Sequence, residues 1–359
     1  MPKMNFCIAA ICGLLVFGSA YANQVGQSAD EKKAIEFLTG KGVIFRWHEP
    51  KNTKEPVEPY WHVYVGKAQI TDVEWEHLKV IKKLKYLGLG DKVTDQNIGK
   101  LAELKELTEL YLSGPSLTDR GIDKIADIKT LEQVSLVGMN ITGAGFERFG
   151  QLQKLKQLMV AGGPFSDEGL KGLEECTSLK LLSFGDTKVT DEGLKSLKAL
   201  KNLEMLTLNE TPVGDKGMLV LAELPALTTL SIRGTHVGND GVKHLSRSKT
   251  LVSLYMDKTK LDNQGMAHFP AFEKLENLNI GYTQVTDKGL AHLRNTKLKR
   301  LYFHFTSDAK ITDDALEHLQ HVKSLEYFDY SLFSKNFSAQ GMQKLKTALP
   351  NLRVPTGKK

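Results

Sequence analysis

The stretch that decides the fold is Thr187–Leu197, TKVTDEGLKSL. It holds hydroxyls, two carboxylates, a glycine and two lysines within eleven residues, a mixture that taken alone suits a catalytic or metal-binding phrase. Its recurrence says otherwise. The wording returns as QITDVEW, KVTDQNI, SLTDRGI, NITGAGF, PFSDEGL, PVGDKGM, HVGNDGV, KLDNQGM, QVTDKGL, KITDDAL and NFSAQGM. The apolar residue before the Thr or its substitute falls at Ile70, Val93, Leu117, Ile141, Phe165, Val189, Val213, Val237, Leu261, Val285, Ile311 and Phe337. The step is 23 residues once, then 24 eight times, then 26 twice. A period of this length marks stacked structural repeats, here about twelve of them.

Between the anchors stands L-x-x-L-x-L, as in Leu203, Leu206 and Leu208. Such alternation over a few residues predicts a short strand with one face in the core. After each anchor comes GLxxLxxL, as in Leu194, Leu197 and Leu200, whose spacing predicts one apolar stripe of a short helix. No unit buries its own apolar edge, so the units must stack. The expected fold is an α/β solenoid, a horseshoe arc with a parallel sheet on the concave side and helices outside.

The polar letters of TKVTDEGL then read as scaffold. Thr190 suits an N-cap, and Asp191 and Glu192 fall in the first turn, where the helix dipole favours anions, each contributing about 0.5–1 kcal/mol. Gly recurs four residues after the anchor at 121, 145, 169, 193, 217, 241, 265, 289 and 341. Gly in a helix costs about 1 kcal/mol against Ala, so a common reason is needed, and close approach of neighbouring backbones is the expected one. Thr187, Thr211, Thr235, Thr259 and Thr283 form a further column, expected to bond the turn backbone of the next unit.

The phrase L-x-x-L-x-L followed by T-x-V-T-D-x-G-L-x-x-L, from roughly Val63 to Val354, resembles leucine-rich repeat proteins of the ribonuclease-inhibitor-like class. It is most similar to secreted bacterial proteins with 24-residue repeats and to the cysteine-containing repeats of F-box proteins. The resemblance implies a leucine-rich-repeat fold and binding of other proteins through the concave face. It implies no particular activity. The position that names the cysteine-containing repeats is filled by Ile81, Leu104, Ile128, Leu152, Cys176, Leu200, Leu224, Ser248, Phe272, Asn295 and Val322. Only Cys176 matches, and in that column it reads as a core residue with a raised pKa rather than a nucleophile.

Residues 1–22 carry the pattern of a secretory signal peptide: Lys3 in a short leading region, an apolar run from Cys7 to Ala20, and Ala20-Tyr21-Ala22 before the expected cleavage point. The apolar run is shorter than the ~20 residues a bilayer span needs, so no membrane span is expected after cleavage. The anticipated location is outside the cytoplasm, periplasmic or extracellular. Cleavage removes Cys7, Cys12 and Lys3, taking the formal charge from +6 to +6 − 1 = +5 and leaving Cys176 without a disulfide partner. Basic and acidic residues are interleaved along the chain, which argues against nucleic acid as a partner. Residues 23–62 are read as an N-terminal cap of helix and hairpin, residues 63–330 as the repeats, and residues 331–359 as a last repeat and cap.

His244, His268, His292 and His318 occupy equivalent helix positions in four successive units. Packed helices lie ~8–10 Å apart, whereas ligands of one zinc must bring their nitrogens within ~3.5 Å, so the column reads as a solvated face. The Asp column offers one or two carboxylates per unit, too few for calcium. His48 and His62, beside Trp47 and Trp61, belong to the expected cap, a ligand role being the minor reading. No phosphate loop, nucleophile elbow or HExxH occurs, and no cofactor or metal site is expected.

The residues between the strand leucines point out of the concave sheet. Their middle row runs Gly88, Tyr111, Ser135, Met159, Ser183, Thr207, Ser231, Tyr255, Asn279, Tyr302, Asp329. Small polar residues give way to aromatic ones toward the C-terminus, and both irregular spacings fall there, carrying Phe305 and Phe333. These two rings read either as a terminal cap or as part of a binding site. Twelve strands make a face about 55 Å long, enough for a protein segment. The expected function is a non-catalytic, exported protein-binding scaffold using Tyr255, Arg300, Tyr302, His304, Phe305, Tyr327, Asp329 and Phe333. An architectural, self-associating envelope protein is the alternative, and an enzyme with a site assembled across repeats a weaker one.

Overall fold

The structure, a computed structural model, describes residues 27–50, 57–305, 311–330 and 336–355. The expected signal sequence with its expected cleavage point, Cys7, Cys12 and Phe333 lie outside the described residues. Thirteen strands form one open sheet among the described residues, and their order across it is their order in the chain. The first two, β1 (Ile44–His48) and β2 (Tyr60–Gly66), are antiparallel. Every later neighbour is parallel, because each unit brings the chain back to the same point running the same way, one strand further on. The fold is the leucine-rich-repeat solenoid.

Leu203, Leu206 and Leu208 from the strand side and Leu194, Leu197 and Leu200 from the helix side are almost wholly buried and form one layer of the core. The helix layer is a mixture. Asp313–Leu319 is α-helical, whereas Gly193–Ala199 is a 3-10 helix. Segments this short have too few α-type bonds to resist the tighter winding, and the packing of their leucines sets the geometry.

The Asp and Gly columns prove to be a single device. Thr190 donates its backbone N–H to Asp167 Oδ1 at 2.7 Å and its hydroxyl to Asp167 Oδ2 at 2.6 Å, one unit back. Through their backbone N–H groups Thr118 binds Asp95, Thr142 binds Asp119, Gly214 binds Asp191, Gly238 binds Asp215, Thr312 binds Asp287 and Ser338 binds Asp313 in turn. Where the next unit offers Asp262 instead of Thr, the acceptor is Asn239, whose Nδ2 donates to the carboxylate at 2.8 Å. A carboxylate there would repel it. Where the column holds Gly143, the Ser166 N–H turns to the Thr142 carbonyl.

The glycines leave room for these acceptors. A Cβ on Gly193 would collide with Asp167 Oδ1 and stand 2.7 Å from Cγ and 3.0 Å from Cα. Close approach between units is therefore right as the reason for the column, but its usual agent is a side chain. Backbone fills that role at Gly145, beneath the Asp119 carbonyl.

The threonine column corrects a second expectation. Thr187, Thr211, Thr235, Thr259 and Thr283 donate to the carbonyl three residues back in their own unit, at 2.6–3.0 Å, not to the next unit. Each closes its own turn. Just before them a left-handed residue recurs every 24 positions, as Asp186, Glu210, Gly234, Lys258 and Tyr282, and its N–H extends the sheet ladder to the next unit.

Both ends of the core are covered. Ahead of the sheet, α1 (Ala29–Gly40) starts on the Ser28 hydroxyl, which accepts the Glu31 N–H at 3.2 Å. Glu31 itself is buried and accepts the Lys82 N–H at 3.1 Å, tying the cap to the first unit. At the far end the helix Ala339–Ala348 lays Leu345 on the core, and Arg353 makes a single bridge with Tyr327 at the edge of the last strand.

Candidate functional site

Strand register places the residues of the open face in two straight rows at the C-terminal end. Tyr255, Asn279, Tyr302 and Asp329 are successive partners in one, and Asn277, Arg300 and Tyr327 in the other. The Tyr302 and Tyr327 rings lie 5.5 Å apart at 51°. His304 Nε2 stands 3.5 Å from Asp329 Oδ1, and Arg300 donates to Asn277 Oδ1 at 3.3 Å. Burial pushes the Tyr302 hydroxyl up, so the phenol stays a hydrogen-bond donor across the neutral range. All these side chains are at least partly exposed.

Phe305 is not among them. It is 7% exposed and packs against Phe303 at 5.4 Å and Phe337 at 5.9 Å, so its ring covers the core. In its stead the structure adds Tyr282. This residue holds the left-handed turn position at φ 54°, leaves half its surface exposed, and lies parallel to the His304 ring at 6.2 Å. A bulky non-glycine residue in that conformation costs about 1–2 kcal/mol. Its signal in the sequence was the turn column itself, read for threonine one place later.

The N-terminal end of the same face is aromatic as well. In β2, Trp61, Val63 and Val65 enter the core while Tyr60, His62 and Tyr64 face outward. The Trp–His neighbours of the sequence thus part to opposite faces. His62 lies between His48 at 5.0 Å and Tyr86 at 4.8 Å, both stacked, and Arg46 sits over Tyr64 at 5.4 Å. The two strands expected as a cap thus also carry an outward aromatic cluster.

Burial, with the nearby positive charge of His48 and Arg46, pushes His62 down to about 4 from an ordinary 6.5. Its Nε2 is buried without a hydrogen-bond partner among the described residues, so a proton there would create an unsatisfied donor. The unfolded chain therefore binds the proton first as pH falls. Stability is complete above pH 6.5 and declines toward pH 4, by roughly 1–2 kcal/mol once screening at this half-exposed ring is allowed for. Urea unfolding at about pH 7 and about pH 4.5 tests this. The wild type should lose more than the His62→Phe variant, with Arg46, His48, Tyr60, Tyr64 and Tyr86 unchanged around the ring. Equal losses would remove the assignment.

The other polar columns serve the scaffold. Part burial pushes the Asp119 carboxyl upward, but the N–H groups of Thr142, Gly143 and Gly145 outweigh it and hold it below the usual range. Such carboxylates are committed to the neighbouring unit. His318 Nδ1 meets the Arg294 guanidinium at 2.9 Å. Cys176 is buried, and burial pushes its thiol up to about 12, which makes it inert. Among the described residues no group of three or more His, Cys, Asp or Glu is placed to hold a metal ion, and no helix is long and apolar enough to cross a membrane.

Residues 175–198 match the family model described as leucine rich repeat. An internalin from Listeria monocytogenes superimposes with a TM-score of 0.59 at 18% identity, covering 95% of this chain and 98% of the internalin. An internalin C2 from the same organism gives a TM-score of 0.46 at 22% identity over 57% of this chain and 83% of its own. At these identities the likeness concerns fold alone, and it rests on the first of the two. No curated protein matches the sequence.

Proposed function

Taking the chain as a leucine-rich-repeat solenoid, we propose that it is an exported, non-catalytic scaffold that holds a protein partner against the C-terminal end of its open sheet face. One observation carries the proposal. Tyr255, Tyr302, Tyr327 and Tyr282 stand partly exposed on rigid parallel strands and their turns, beside Arg300, His304 and Asp329, while other apolar rings nearby are used in the core. Tyr and Arg on a preorganised support lose little entropy on binding and dominate interface energies. Export follows from the sequence of residues 1–22, and a single thiol suits an oxidising compartment, where it makes no demand for pairing.

The combined variant Tyr255→Ala, Tyr302→Ala, Tyr327→Ala tests the surface. A partner recovered on the wild-type chain should bind the variant at least about 100-fold more weakly, each ring contributing more than ~1 kcal/mol. The melting temperature should stay within a few degrees, because none of the three side chains is fully buried. Undiminished binding would dismiss this face as the contact.

A further inference from the structure

The N-terminal end of the open face contains a carboxylate that forms no ion pair among the described residues. Glu109 opens the strand Glu109–Ser113, opposite Tyr86 on one side and Gln133 on the other. It is half-buried, and among the described residues it forms no ion pair. Its acidic neighbour Glu132 is committed to Lys156 at 2.7 Å. Burial, then the negative charge of Glu132, pushes the Glu109 carboxyl up, and Lys85 offsets this only in part.

Tyrosines surround this carboxylate. The hydroxyls of Tyr60, Tyr64 and Tyr86 are all raised in part by the charge of Glu109. Tyr111 follows two residues later on the same strand face. Gly88, between Tyr64 and Tyr111 in the row, has no side chain, and a Cβ there would come within 3.2 Å of the Tyr64 ring and 3.3 Å of the Tyr86 ring. Both rings lean over the strand in the space this glycine leaves. Two cations of this region stand over rings, Arg46 over Tyr64 at 5.4 Å and Lys85 over Tyr60 at 5.1 Å.

We infer that Glu109, with the rings of Tyr86 and Tyr111, forms a seat for a lysine or arginine side chain of a protein partner. A half-desolvated carboxylate without a counter-ion gains most from a cation, and aromatic faces attract the same group. An anionic occupant would meet Glu109, and a neutral one would leave it unpaired. The site extends the protein-binding reading to the opposite end of the face, and its test is separate from that of the C-terminal tyrosines.

The test is calorimetric titration of the full mature chain with capped hexa-arginine, with hexa-aspartate and hexa-serine as controls. The formal charge of +5 after loss of Lys3 (+6 − 1) repels a polycation overall, so binding would report a local seat. Hexa-arginine alone should bind. Glu109→Gln, nearly isosteric, should weaken it about tenfold, and Tyr86→Leu several-fold, while Tyr86→Phe and the C-terminal triple variant leave it unchanged. Circular dichroism on each variant checks the fold, and Glu109→Asp, which keeps the charge but withdraws it, should fall between wild type and Glu109→Gln. No binding of hexa-arginine, equal binding by wild type and Glu109→Gln, or preference for hexa-aspartate would each overturn the assignment.

Discussion

Replacing Phe165 with alanine is expected to destabilise the chain by about 4 kcal/mol, the upper range for loss of a fully buried aromatic ring. Phe165 is 0% exposed and stands where most other units carry Val, Leu or Ile. Its ring meets Phe146 edge-on at 5.2 Å and stacks on Phe184 at 5.2 Å, while Phe146 in turn meets Phe149 at 4.4 Å. The reason for a phenyl ring at this anchor lies in the neighbouring unit. Gly143 replaces the usual Asp there, and the ring passes beside Gly143 and Gly169: a Cβ on Gly169 would strike it, and one on Gly143 would stand 3.3 Å from it. Aromatic packing fills the space that a carboxylate fills elsewhere. Phe165→Ala therefore removes the packing where the carboxylate link is also missing and Ser166 bonds only the Thr142 carbonyl, and the two halves of the solenoid should uncouple. Hydrogen exchange should quicken in units 141–189 more than at the ends, and the urea transition should broaden. Phe165→Leu should cost only about 1–1.5 kcal/mol, because it keeps most of the volume. A loss below about 1 kcal/mol for Phe165→Ala would mean that the cluster is dispensable.

The repeat made the backbone path legible, and with it the face that each strand residue occupies. A period of 24 with L-x-x-L-x-L in each unit leaves one way to stack parallel strands, and the row from Gly88 to Asp329 follows from it residue by residue. Periodicity identifies equivalent positions, but it does not say which neighbour a polar side chain reaches. Asp167 reaches forward to the next unit, whereas Thr187 bonds backward within its own, and both form equally regular columns. Only lateral distance separates the two cases. The N-terminal tyrosines escaped for a different reason. β2 pairs antiparallel on one side and parallel on the other, with register shifts at Trp61/His62 and Tyr64/Gly66, so its outward residues fall outside the repeat numbering. Phe305 lies in a unit of irregular spacing, where counting from the anchor no longer distinguishes the core from the open face.

Gly193→Ala should destabilise by about 3 kcal/mol, far beyond the stabilisation of up to ~1 kcal/mol that the same change brings in an unobstructed helix. The added methyl would collide with Asp167 Oδ1 and sit 3.0 Å from Asp167 Cα, so rotation of the carboxylate alone cannot clear it. Turning it away also breaks both bonds from Thr190, at 2.7 and 2.6 Å, and bonds to a charged acceptor contribute about 1.5–3 kcal/mol. Asp167→Ala alone should cost about 2 kcal/mol through those same bonds. If the two residues form one device, the double variant should cost less than the sum of the single changes, with a coupling of at least about 1 kcal/mol. Strict additivity in urea unfolding would show that Gly193 serves some purpose other than making room for Asp167. The contrast with position 315 sharpens the argument, since Ala315 occupies the glycine column and is fully buried. There the step from the preceding anchor is 26 residues, and Thr312 N–H reaches both Asp287 oxygens, at 3.0 and 3.2 Å, a two-pronged approach that Thr190 does not make to Asp167. A methyl group is thus tolerated where the spacing and the approach of the carboxylate differ, and Ala315→Gly should bring no gain from relieved crowding, only the cost of up to about 1 kcal/mol that Gly carries in a helix.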